Sequence, residues 1–292
     1  MRLIHRLTPA GPRAAALCSV DGVEHFVDLQ QANPQLPATV DELLHNGAEL
    51  LPMAAAAAAS SRPERLGDAK LGPPVLAPQK ILCVGLNYAD HAAETGAVVG
   101  DEPVIFNKFP TALRGPGDAI ELPPESEQVD FEAELVVAIG RACRRVSRGD
   151  ALDCVAGYAC GHDVSARDWQ KGKPGKQWLL GKSFDSFAPL GPWLATRDEI
   201  AEPGNLPIQM RLNGQVMQQS NTNQLIFPID YLVSYLSHVC TLLPGDLIYT
   251  GTPPGVGMAR TPPVFMQPGD VAEVEIAGLG VLRNPVVAAA NS

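Results

Sequence analysis

Glu132 and Glu134 stand two residues apart in Asp130-Phe131-Glu132-Ala133-Glu134-Leu135, at the head of the apolar run 136–139. That run is rich in β-branched residues and ends at Gly140, so it reads as a buried strand. Alternation along a strand puts both glutamates on one face, with Asp130 on the same side. Like charges beside a core are costly unless something positive neutralises them, and a hard divalent cation suits carboxylate oxygens. The plainer alternative is a solvated strand end carrying surface acids.

Three further segments carry chemistry. The apolar strand 155–160 runs into Gly161-His162-Asp163-Val164-Ser165-Ala166-Arg167-Asp168-Trp169-Gln170. Asp163 offers a third oxygen ligand there, and Arg167 or Gln170 could meet an anion one turn later; the competing reading makes Asp163 a helix N-cap. His91 and Glu94, three residues apart, share a face if 89–95 is helical. A carboxylate beside an imidazole orients it and raises its basicity, which suits activation of a water. The flanking Gly96 and Gly100 would let that segment move as a lid. Lys182, in Gly181-Lys182-Ser183-Phe184, is either a snorkelling strand lysine or an inward charge, with snorkelling the commoner case.

These residues need a scaffold. At 292 residues and 46% hydrophobic, the chain can bury a large core. The net charge of −10 argues against a nucleic-acid partner and leaves an anionic substrate dependent on local cations. No apolar stretch nears the roughly 18 residues of a membrane span, and the N-terminal residues lack a signal-peptide core, so a cytoplasmic protein without a membrane partner is expected. The six cysteines form no Cys-x-x-Cys pair and read as free thiols.

Residues 1–75 read as a small N-terminal α/β module and 76–292 as the catalytic domain. Val20-Asp21-Gly22-Val23 predicts a hairpin turn, Thr39-Val40-Asp41-Glu42 a capping box opening a helix through Leu51, and Pro52 a kink or restart. From Lys80 onward short strands alternate with Gly/Pro/Asp turns, Asn213-Gly214 marks a hairpin, and one amphipathic helix is predicted over 229–242, with Val239 on its apolar face. Many strands and few helices predict a mixed, β-rich α+β fold.

In their order, Gly85-Leu86-Asn87-Tyr88-Ala89-Asp90-His91, Asp130-Phe131-Glu132-Ala133-Glu134-Leu135, Asp163-Val164-Ser165-Ala166-Arg167-Asp168, Gly181-Lys182-Ser183-Phe184-Asp185 and Thr250-Gly251-Thr252-Pro253-Pro254-Gly255-Val256-Gly257 resemble the fumarylacetoacetate hydrolase family. The resemblance covers roughly residues 80 to 285 and implies a β-sandwich roll, usually a homodimer, with a Mg²⁺ or Mn²⁺ site that Ca²⁺ can also fill. It assigns Glu132, Glu134 and Asp163 as metal ligands, and His91 and Glu94 as a water-activating dyad on a mobile lid. It makes Lys182 the active-site lysine and Arg167, Gln170, Lys108 and Thr252 substrate contacts. The founding enzyme has a fourth acidic ligand seven residues before its histidine, where this chain has Val84; that favours the acylpyruvase-like and 2-hydroxyhepta-2,4-diene-1,7-dioate isomerase-like branch.

The resemblance therefore implies a metal-dependent hydrolase of a small anionic 2,4-diketo acid, releasing pyruvate and a carboxylic acid, as in aromatic catabolism. Decarboxylation of oxaloacetate or another β-keto acid, isomerisation of a hydroxymuconate-type diacid and cleavage of a diketo sugar acid would use the same platform. A catalytically inert, metal-stabilised binding protein is the alternative of a different class.

Overall fold

The computed structural model describes residues 1–96 and 100–290. The predicted turns form with the residues they need. Asp21 and Gly22 take φ of 51° and 77° and join the strands Gly11–Val20 and Val23–Asp28, with Val20 opposite Val23. Asn213 and Gly214, at 54° and 78°, do the same between Pro207–Leu212 and Gln215–Asn221. Positive φ at both central residues matches the right-handed twist of the flanking strands.

Among the described residues a 12-stranded sheet forms the frame. Its main path runs from Glu64–Arg65 through Val23–Asp28, Gly11–Val20 and Arg2–Thr8 to Ala188–Thr196. It continues through Val155–His162, Ala133–Ile139, Leu247–Tyr249 and Ile81–Gly85 to Val104–Lys108. A five-stranded sheet that includes Pro207–Leu212, Val271–Ile276 and Gly280–Ala288 packs against the central strands, and the two enclose the main core. The fold is thus the expected strand-rich α+β architecture with several sheets. The N-terminal strands extend the same sheet, because Arg2 and Leu3 pair with Ala195 and Leu194.

Two helices depart from the sequence reading. The Thr39–Glu42 capping box forms, but the helix it opens, Val40–His45, ends at Asn46, and a second helix, Gly47–Ser60, runs on through Pro52. The break falls where Asn46 leaves helical geometry (φ −128°, ψ 46°). The later helix is Ile229–Val239, ending at Val239 because Cys240 turns extended. Val239 is therefore 73% exposed at the helix terminus rather than part of the buried face.

His5 fastens this edge of the molecule. It is fully buried, its Nδ1 pairs with Pro73 O at 2.9 Å, and Val40 N donates to its Nε2 at 2.8 Å. Accepting at Nε2 requires a neutral ring, and burial lowers its pKa despite the opposing effects of Pro73 O and Asp41. Because the folded-state pKa is depressed, the unfolded chain takes up the proton first as pH falls. Stability contributed by His5 is whole above the unfolded value of about 6.5 and declines below it, by at most about 1.4 kcal/mol per pH unit. The melting temperature should fall over that acid range, and His5→Asn should flatten the decline; an unchanged slope would place its origin elsewhere.

Candidate metal centre and active site

The acidic centre is assembled from two neighbouring strands. Glu134 lies on Ala133–Ile139 and Glu132 just before it, while Asp163 follows the paired strand Val155–His162. Asp163 N donates to Glu132 O at 2.9 Å, tying the strand ends together. One carboxylate oxygen from each of Glu132, Glu134 and Asp163 lies within 4.8 Å of the others, and all three residues are buried. Asp163 is no helix cap, because the next helix, Arg167–Gly172, starts after Ala166 without a side-chain cap.

Cations hold the cluster together. Lys182 Nζ donates to Glu132 Oε2 and Asp163 Oδ2, each at 2.7 Å, so it is an inward charge and not a snorkelling lysine. Burial opposes its charge, but Asp163 and Glu132 outweigh that and raise its pKa. Arg167 donates to Glu132 Oε1 at 2.7 Å, to Asp130 Oδ2 at 2.8 Å and to Gln170 Oε1 at 2.9 Å. Burial pushes the Glu132 carboxyl up, yet Lys182 and Arg167 hold it well below the usual range. At Glu134 the balance reverses: burial first, then the charges of Asp163 and Glu132, push its carboxyl well above its ordinary value against the smaller opposing pull of Lys182. Its one anchoring donor is Gly251 N at 2.8 Å, on a loop residue with φ 111° whose added Cβ would sit 2.8 Å from Asn87 Cβ. Glycine is required there.

Lys108 Nζ also lies 2.6 Å from Asp163 Oδ1, but its three protons serve the carbonyls of Val164, Lys182 and Phe187 at 3.0, 2.5 and 2.8 Å. Asp163 Oδ1 is left buried without a hydrogen bond. Three buried carboxylates gathered in one cluster, with the Glu134 carboxyl pushed up by burial and by the charges of Asp163 and Glu132, fit a hard divalent cation such as Mg²⁺ or Mn²⁺.

The dyad stands on the same cavity, of about 510 Å³, whose walls include His91, Glu94, Glu132, Glu134, Arg167, Gln170, Lys182 and Thr252. His91 and Glu94 sit on the helix Ala89–Thr95, and His91 Nδ1 meets Glu94 Oε2 at 3.0 Å. That pairing assigns the proton to Nδ1 and the lone pair to Nε2. Glu94 in turn accepts from Gly255 N at 3.1 and 3.2 Å, and Asp90 accepts from Ser220 Oγ. The helix is thereby docked at both ends. The dyad segment, expected to move as a lid through Gly96 and Gly100, is this helix; residues 97–99 between those glycines lie outside the described residues.

Of the expected substrate contacts, Arg167, Gln170 and Thr252 face the cavity. Arg167 is already engaged by acids, and the Thr252 hydroxyl donates to Ala133 O at 3.0 Å. Lys108 is not on the cavity wall; it stands behind Asp163 as a buried counter-charge. Val84, at the position of the founding enzyme's fourth acid, lines the cavity as an apolar residue.

Three residues are central to the geometry in ways the sequence reading does not give: Asn87 and Gln218 have no role assigned there, and Asp130 is expected on the glutamates' face. Asn87 donates to Phe227 O and Thr250 O and accepts from Phe227 N, clamping the start of the dyad helix. Asp130 points away from the cation cluster: it takes Arg167 and the N–H groups of Phe131, Gly257 and Met258. Gln218 bridges Ala133 N, Thr252 Oγ1 and Pro253 O.

A sheet-borne acidic centre and a histidine–carboxylate dyad thus line one cavity. Residues 80–287 match the model of the fumarylacetoacetate (FAA) hydrolase C-terminal family, and the chain belongs to the fumarylacetoacetate hydrolase family. It is 48% identical over 98% of its length to the Bos taurus protein named oxaloacetate tautomerase FAHD2A, mitochondrial, covering 92% of that relative. It is 46% identical to the Xenopus laevis oxaloacetate tautomerase fahd2, mitochondrial, over 98% of this chain and 90% of that protein. Among solved structures it resembles a putative HpcE protein from Mycobacterium smegmatis (TM-score 0.86, 38% identity, 99% and 100% of the two chains). It also resembles the fumarylacetoacetate hydrolase of Exiguobacterium antarcticum (TM-score 0.84, 34% identity, 99% and 100%). The cytoplasmic expectation is corrected by these relatives, since near-full-length ones at 46–48% identity are named mitochondrial.

Proposed function

We propose that this protein catalyses keto–enol tautomerisation of a short 2-oxo diacid of the oxaloacetate type, with a divalent cation at Glu132, Glu134 and Asp163. The observation that carries the proposal is the placing of one oriented base, His91 with Glu94, on the cavity that the acidic cluster also lines. Enolisation needs those two things and no more: a base beside the acidic carbon, and positive charge where the enolate oxygen develops. His91 Nε2 would take the proton from the carbon next to the 2-oxo group as the electron pair moves to oxygen. The imidazolium then returns that proton to oxygen, giving the enol with no net change in atoms. A bound cation supplies Lewis acidity for the carbonyl. Lys182 adds positive charge beside it, and Gln170, its Oε1 held by Arg167, keeps amide N–H groups for the substrate.

The 2,4-diketo acid hydrolase reading shares this base but adds an attacking water. The relatives named oxaloacetate tautomerase favour the simpler reaction. A homodimer acting on a small anionic keto acid is part of the same proposal. The test is the ultraviolet decay of enol oxaloacetate with Mg²⁺- or Mn²⁺-loaded protein, compared with protein stripped by EDTA. Metal-dependent acceleration is expected. An uncatalysed rate together with release of pyruvate from acylpyruvates would restore the hydrolase reading.

A further inference from the structure

Among the described residues lining the cavity, one cationic side chain has no ion pair. Arg167 is spent on Asp130, Glu132 and Gln170, and Lys182 on Glu132 and Asp163. Lys171 lines the same cavity and, among the described residues, has neither a salt bridge nor a hydrogen bond. It lies four residues after Arg167 on the helix Arg167–Gly172, so it shares that face one turn further from the acidic cluster. Its side chain is exposed, which places it at the cavity mouth. The neighbouring lysines do other things. Lys173 lies over the Trp169 ring at 4.0 Å, and Lys176 is not on the cavity wall.

We propose that Lys171 binds the distal carboxylate of the substrate, making the site selective for 2-oxo diacids over 2-oxo monoacids. The inference rests on the tautomerase reading for the reaction but not for the binding. A 2-oxo acid held at the cluster by its carboxylate and 2-oxo oxygens directs its other end out of the acidic centre. In a chain of net charge −10, an unpaired ammonium at that mouth is the group that can receive an anion. Burial, then the like charge of Arg167, lower the Lys171 pKa by more than Glu132 and Asp130 raise it, and no acid pairs with it directly as a counter-ion. An arriving carboxylate supplies that counter-ion.

The test is calorimetric binding of 2-oxoglutarate and 2-oxopentanoate to Mg²⁺-loaded wild type, Lys171→Met and Lys171→Arg, with oxalate as a ligand that lacks a distal group. Lys171→Met should weaken 2-oxoglutarate by about tenfold or more, the loss of one charge-assisted hydrogen bond, and leave 2-oxopentanoate and oxalate unchanged. Lys171→Arg should retain most of the diacid affinity. The KM for oxaloacetate should rise in Lys171→Met with kcat little changed. Equal weakening of diacid and monoacid, or no weakening, would overturn the subsite. Selective weakening in a protein that does not tautomerise oxaloacetate would leave the subsite standing and remove the reaction.

Discussion

Lys182→Met is expected to make the fold depend far more on a bound cation. The lysine side chain is 2% exposed and serves two buried carboxylates at once. Methionine fills the space but leaves Glu132 with Arg167 alone and Asp163 Oδ2 without a donor. Breaking a buried ion pair by removing one partner costs about 3–5 kcal/mol, because the remaining charge stays desolvated. For a chain of this size that is a fall in melting temperature on the order of 10 °C in EDTA. Removing a positive charge from the cluster should tighten Mg²⁺, so at one fixed Mg²⁺ concentration the metal-induced rise in melting temperature, set by RT ln(1 + [Mg²⁺]/Kd), should be larger in the variant than in wild type. The measurement is thermal unfolding of both proteins with EDTA and with Mg²⁺. Parallel, equal shifts would show that Lys182 does not neutralise the cluster, and the reading of the centre as a charge-balanced cation site would fall with it.

Loss of the base should be as large in a different quantity. His91→Ala should lower kcat for enol–keto interconversion by about 10²–10⁴ while metal affinity and melting temperature stay near wild type, since His91 is not one of the three candidate cation ligands. Glu94→Gln should cost less, about 10–100-fold, because the amide still reaches Nδ1 and Gly255 but no longer stabilises the imidazolium. Stopped-flow enol absorbance with the metal-loaded variants separates the cases. A His91→Ala protein of undiminished rate would leave the cation and Lys182 as the whole of the machinery.

The parts of this site that were readable are those whose partners are close in sequence or belong to an ordered set of motifs. The Glu132/Glu134 alternation and the His91/Glu94 helical turn follow from period alone, and the hairpins at Asp21-Gly22 and Asn213-Gly214 from turn chemistry. Asp130 shows where periodicity misleads. A short strand, Val129–Asp130, ends before Phe131, and the next begins at Ala133, so the alternation does not carry across the gap and Asp130 serves Arg167 instead. Asn87 could not be read because the carbonyls it clamps lie 140 and 163 residues away. Lys182 looked like a snorkelling residue because its neighbours are apolar, whereas its counter-ions, Glu132 and Asp163, come from 50 and 19 residues upstream. The restart expected at Pro52 falls at Asn46 instead, and Pro52 lies inside the helix Gly47–Ser60.

The pairing of Arg2 with Ala195 sets a timetable for the nascent chain. The first strands can fold back on one another early, with Arg2–Thr8 beside Gly11–Val20 and Gly11–Val20 beside Val23–Asp28. The Arg2–Leu3 part of their inner edge cannot be closed until Ala188–Thr196 has been synthesised, whereas His5 and Arg6 pair earlier with Gly72 and Leu71. At about 5–20 residues per second, the ribosome takes roughly 10–40 s to make that partner. Throughout this interval an apolar strand, with Leu3 and Ile4 destined for the core, presents unpaired backbone groups. Conditions that slow elongation between the early strands and residue 195 should therefore lower soluble yield without altering the stability of the finished protein.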